Sequence, residues 1–177
     1  MRDLRPSFIF VSIATFAVVN TTINSQQAMA LPHATGLPVQ ITRTLNSQFP
    51  GWQAFSETDG CDVSYSKALV SGSFNQDITT EYVVRLRWRG QGRIIAFLSN
   101  GQAYNQLVLE RGSFSEIRNQ GLSLARRGTR LSVMVNESGR RQTMTTAHDT
   151  PLGGTCEASS YAYFFEGRSF KRAFMSD

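Results

Sequence analysis

The hydrophobic rhythm of the chain changes at Pro50-Gly51. Before that point Val39, Ile41, Leu45 and Phe49 fall at near-helical spacing, the stripe of one amphipathic helix, and Pro50-Gly51 ends it. Beyond Trp52, short apolar segments are cut by glycine turns at Gly90-Gln91-Gly92, Asn100-Gly101, Arg127-Gly128, Ser138-Gly139 and Glu166-Gly167. That punctuation predicts antiparallel hairpins. Asn-Gly is the strongest of these signals, because both central positions of a two-residue hairpin loop need positive φ. EYVVRLRWR should therefore pair with RIIAFLS, IIAFLS with AYNQLVLE, TRLSVMVN with RQTMTTAH, and SYAYFFE with RSFKRAFM. The expected fold is α+β: an N-terminal helix packed on one antiparallel β-meander sheet. No repeat of solenoid or propeller length interrupts it.

Alternation along EYVVRLRWR sends Val84, Leu86 and Trp88 to one face and Arg85, Arg87 and Arg89 to the other. The expectation is one packed face and one basic stripe, which is either a solvated face paired with acids or a binding surface for anions. Single-stranded nucleic acid needs aromatics interleaved with the arginines. Trp88 lies on the opposite face, so no nucleic-acid partner is expected. Tyr161, Tyr163 and Phe165 share one face of their strand, as a packed face or an aromatic platform. HDTPLGG reads as a loop, capped by Asp149 and turned by Pro151 and the glycines toward Cys156.

The first thirty residues carry Arg2 and Arg5, the apolar run FIFVSIATFAVV, and Ala28-Met29-Ala30, the pattern of a signal peptide cleaved after Ala30. The run is well short of the roughly 20 apolar residues of a membrane span. This predicts one secreted or periplasmic domain over 31–177, with no membrane association after cleavage. In that compartment Cys61 and Cys156 read as one disulfide. A composition of 41% hydrophobic and 18% charged residues is that of a globular chain rather than a disordered one. The net charge is +5, and sixteen of the eighteen basic residues are Arg, the side chain suited to bidentate contact with carboxylate or phosphate. Acidic partners follow from that balance.

The stretch GSFNQDITTE has oxygen-bearing residues at the alternate spacing of a calcium loop: Ser73, Asn75 and Asp77, then Glu81. Ser73 is neutral, and Ile78 stands where such loops place a glycine, a position at which a β-branched residue resists positive φ. GSFNQDITTEYVV resembles the loop GDFNGDGxxDYAV of FG-GAP or VCBS-type segments. Gly72, Phe74, Asn75, Asp77, Tyr82 and Val84 match, Glu81 replaces the last Asp, and Ser73, Gln76 and Ile78 depart. The chain is also similar to small exported bacterial proteins of unknown function that carry one such loop. The shared features are a helix ending in a phrase like FPGW, here Phe49 to Trp52, and an end marked by Glu157, Tyr161, Tyr163, Gly167, Phe170, Ser176 and Asp177. The resemblance implies an exported α+β domain without established activity. The loop reads as a degenerate metal loop kept for its geometry, with weak calcium binding as the single cofactor in question.

Enzyme chemistry is not expected. There is no G-x-S-x-G, His148 and Asp149 are adjacent and so point apart on a strand, and nothing ties Asp149 and Glu157 to a sugar site. The expected function is a non-enzymatic exported domain that binds a protein or an anionic envelope component. The alternatives are a calcium-stabilised structural module, an inhibitor or immunity-type protein, and a hydrolase.

Overall fold

Helix α1 (Val39–Gln48) forms along the predicted stripe. Ile41 and Leu45 are fully buried and Phe49 nearly so, while Val39, at the open end, stays exposed. The chain leaves the helix through Gly51 at φ 78°. Trp52 then turns back beneath it, its Nε1–H donating to Asn46 Oδ1 at 2.8 Å. The computed structural model describes residues 36–56, 67–134, 140–155 and 159–175. The leader, both cysteines of the expected disulfide, Cys61 and Cys156, and Glu157, Ser176 and Asp177 lie outside the described residues.

The first sheet contains β1 (Gln53–Ala54), β2 (Leu69–Gly72), β3 (Glu81–Trp88), β4 (Gln91–Ser99) and β5 (Tyr104–Ser113). Its order is β1-β3-β4-β5, with β2 sharing the β1 edge of β3. The β3–β4 and β4–β5 hairpins pair as expected. The first turn is tighter than the predicted Gly-Gln-Gly. Trp88 faces Gln91, leaving Arg89 and Gly90 at φ 49° and 76°, the doubly positive pattern of a type I′ loop. Gly92 is therefore a strand residue, and its missing side chain makes room for Ile117, whose Cβ would stand 2.2 Å from an added Cβ.

The expectation of one meander sheet in an α+β fold is overturned. Of the described residues 58% are in strands and 12% in helices, and the strands form two antiparallel sheets, so the protein is mostly β. After β5 the chain enters a one-turn helix, α2 (Phe114–Arg118), fixed by a capping box between Ser113 and Glu116. It then starts a second sheet: β6 (Gln120–Ala125), β7 (Arg130–Met134), β8 (Arg141–Thr145), β9 (Thr150–Thr155), β10 (Ser159–Glu166) and β11 (Ser169–Met175), in the order β6-β9-β10-β11-β7-β8. The β7–β8 and β10–β11 hairpins were legible, but the pairings of β6 with β9 and of β7 with β11 join segments distant in sequence.

HDTPLGG is not a loop from Thr150 onward. Those residues form β9, between β6 and β10. The glycine at 153 serves packing rather than turning: an added Cβ would lie 2.2 Å from Cε2 of the buried Tyr161 ring. Pro151, which has no N–H to give, pairs only on the β6 side, because the β10 ladder stops at Leu152.

The second sheet has to curl. In a flat sheet β6 and β7, with three strands between them, would stand about 19 Å apart. Yet a single turn joins them, with Thr129 N–H donating to Arg126 O at 3.0 Å. The curl encloses Ala125, Leu131, Val133, Leu152 and Ala162. A second core lies where Val83, Ile94, Ala96 and Leu98 of the first sheet meet Phe74, Ile117 and Leu122. A third packs Ile41, Leu45 and Phe49 of α1 on Val84, Leu86, Ile95 and Phe97. Each wholly buried aliphatic side chain contributes about 1.5–3 kcal/mol. The consequence for function is that β3 is covered on both faces, by α1 and by the second sheet.

Candidate anion-binding site

The three arginines of β3 and its turn separate in space. Arg85 is fully buried, facing the core between the sheets. Its guanidinium lies 4.8 Å over the Phe55 ring, and Nη2 donates to Ser56 O at 3.4 Å. It therefore leaves the expected binding surface, because the face that alternation assigned to solvent is covered by the second sheet. Arg87 and Arg89 lie beyond that cover and are exposed.

Arg87 is held from two sides. Its Nε–H donates to Gln53 Oε1 at 2.6 Å, and its guanidinium stands 5.7 Å from the Phe114 ring centroid. Phe114 is itself fixed: it stacks on Phe55 at 5.5 Å, and its N–H donates to Gly90 O at 3.1 Å. Arg89, the single non-glycine at positive φ among the described residues, lies 4.7 Å over Trp88. Trp88 is anchored by its Nε1–H to Pro50 O at 3.1 Å and by an edge-on contact with Phe49 at 5.4 Å. Between Gln53, Arg87, Trp88, Arg89 and Phe114 is a cavity of about 300 Å³, bordered by the turn glycines Gly51 and Gly90.

Two further arginines lie at this end of the sheet, as does the Glu116 carboxylate of α2. Arg93 sits 5.2 Å from the Phe49 ring and 5.4 Å from that of Trp88, and faces Arg111 across the β4–β5 ladder. Burial, and then the charge of Arg111, lower the Arg93 pKa from its ordinary value. Among the described residues the ion pairs are Arg126 with Asp149, Lys171 with Glu166, and Arg172 with Glu110. None of them involves Arg87, Arg89, Arg93 or Arg111.

The 73–81 loop is closed on itself. Ser73 Oγ donates to Asp77 O, Asn75 Oδ1 accepts from Asp77 N–H at 2.7 Å, and Asp77 Oδ1 accepts from the N–H and hydroxyl of Thr79. Those bonds, chiefly the Thr79 hydroxyl, lower the Asp77 pKa. Glu81 is fully buried and takes four N–H donors: Phe74 and Asn75 on Oε2 at 2.8 and 3.0 Å, and the Asn75 side chain and Ser99 on Oε1 at 2.6 and 3.1 Å. Burial pushes its pKa up to about 7 against the pull of those donors. Asn75 Nδ2 bridges Asp77 and Glu81, donating to both carboxylates. The four expected metal ligands are thus brought together, with their oxygens hydrogen-bonded to one another and to backbone donors. Ile78 is almost wholly exposed and is not at positive φ.

Other candidate groups are also committed. The Asp149 carboxylate accepts from Arg126, from Arg127 N–H at 3.0 Å and from Ser73 N–H at 3.3 Å, tying the loop to the second sheet rather than orienting His148. Tyr161 and Tyr163 are buried, so the aromatic platform is a packed face. Their hydroxyls donate to Gln120 Oε1 at 2.8 Å and Glu110 Oε1 at 3.2 Å. These bonds line one side of a groove of about 520 Å³ beside α2, whose two acids, Glu110 and Glu116, are held by Arg172 and by the helix cap.

The sequence reading missed Phe114, Gln53 and Arg93 as parts of the arginine site. The Ser113-x-x-Glu116 capping box would have placed a helix start beside Phe114. Nothing local pointed to Gln53, which meets Arg87 through a strand of two residues. Comparison with protein families, with curated proteins and with solved structures finds no match. No helix among the described residues is long and apolar enough to cross a membrane.

Proposed function

We propose that this is an exported, non-enzymatic binding domain that engages an acidic protein or anionic envelope component through the Arg87–Arg89 end of its first sheet. The observation that carries the reading is a pair of exposed guanidiniums, each seated on an aromatic ring beside one cavity and without an acidic partner among the described residues. Like charges that no ion pair neutralises repel one another and raise the local potential, which favours an anionic partner and speeds its association. The preference for an acidic partner agrees with the arginine-rich composition.

The test is capture from an envelope extract with the mature protein and with an R87Q/R89Q variant. The expected result is one or a few proteins or anionic components retained by the first and lost with the second, with retention weakened by salt. Equal retention by both would remove the site from the function.

A further inference from the structure

We infer that the Arg87–Arg89 cavity receives the carboxylates of an acidic polypeptide segment, an assignment that rests on the reading above. The two guanidiniums are held by different rings on different sides of the strand. Arg87 lies over Phe114, on the face of β3 that carries Arg85 but beyond the cover of the second sheet, and Arg89 projects from the turn over Trp88, which faces α1. They border one cavity as two separately held cationic groups. A run of carboxylates matches two such groups, whereas a single phosphate engages one.

Arg87 also spends its Nε–H on Gln53. The Nη1 and Nη2 edge remains, and that fork can donate two parallel hydrogen bonds to a planar carboxylate. The cavity volume of about 300 Å³ is at the small end for ligand sites and suits a side chain. An acidic sugar is the weaker match, because Arg87 and Arg89 already stand over the rings on which a pyranose would stack. With both guanidiniums positioned by rings, less side-chain freedom is lost on binding. Arg89 keeps a backbone conformation disfavoured for its residue type, as strained residues at binding sites do.

Calorimetric titration of the mature protein with an amidated hexaglutamate peptide tests the inference, with hexaglutamine, inorganic phosphate and polygalacturonate as parallel probes. The expected outcome is salt-sensitive binding of hexaglutamate, no binding of hexaglutamine, and affinity lower by about tenfold or more in R87Q/R89Q. K171Q removes one charge from β11, outside the lining of the cavity, and should leave affinity unchanged. R89N, which suits its turn, should weaken binding while remaining folded, so that loss of affinity is not loss of structure. Hexaglutamate binding that is absent, or equal in wild type and R87Q/R89Q, overturns the inference. So does tighter binding of phosphate or polygalacturonate. If hexaglutamate fails while R87Q/R89Q still loses its envelope partner, the acidic-polypeptide assignment falls and the binding-domain proposal stands.

Discussion

Replacing Arg89 by Asn should make the protein more stable while impairing its binding. Arg89 sits at φ 49° and is followed by Gly90 at 76°, a type I′ loop in which Asn-Gly is the preferred pair. A side chain that is not glycine or Asn costs about 1–2 kcal/mol in the left-handed region, and most of that is recovered in R89N. Against it stands the loss of the Arg89 guanidinium over Trp88, worth about 0.5–1 kcal/mol at an exposed site. The net expectation is a gain of about 0.5–1 kcal/mol, or roughly 1–4 °C in Tm for a domain of this size. R89A separates the two contributions, since Ala loses the ring contact and keeps the strain. Urea and thermal denaturation should rank Asn above Arg and Arg above Ala. If R89N is less stable than wild type, or if R89A matches R89N, the turn stores no strain and the case for Arg89 as a residue held for binding loses its energetic support.

Glu81 should make stability depend on pH. Its folded pKa, raised from 4.5 to about 7 by burial, lies above the unfolded value, so its contribution is fully present below pH 4.5 and is lost as pH rises toward 7. The loss is on the order of 3 kcal/mol, read as a falling urea midpoint that E81Q flattens; identical pH profiles in the two proteins would contradict it. Gly153→Ala should cost about 1–3 kcal/mol by driving a Cβ into the Tyr161 ring, and a midpoint within error of wild type would show that the ring can shift. Arg85→Ala should cost about 2–4 kcal/mol through lost packing yet leave hexaglutamate affinity unchanged; reduced affinity in protein shown to be folded would put Arg85 back in the site.

What the sequence showed was what is local. Helix α1 and four hairpins followed from periodicity and glycine turns, because each is settled by residues that are close along the chain. The second sheet was not legible, because β6 meets β9 and β7 meets β11 across long separations that no turn residue encodes. The β9 strand was misread because Pro151, Gly153 and Gly154 carry turn chemistry, while in the fold Gly153 is small for the sake of the ring above it. Turn residues report backbone freedom and small size alike, and only the packing tells them apart.

The arginine strand shows the same limit at the site. Period-two alternation correctly placed Arg85 and Arg87 opposite Leu86 and Trp88, but it cannot say whether the second face meets water or another sheet. Val83, on the same face as Arg85, was the available sign that the face begins under cover. Cover ends between residues 85 and 87. One alternating pattern therefore yields a guanidinium sealed in the core and, two residues on, another held open on a ring. A stripe in sequence becomes a site only where the overlying layer stops, and here it stops beside Phe114, with Arg89 in the adjoining turn.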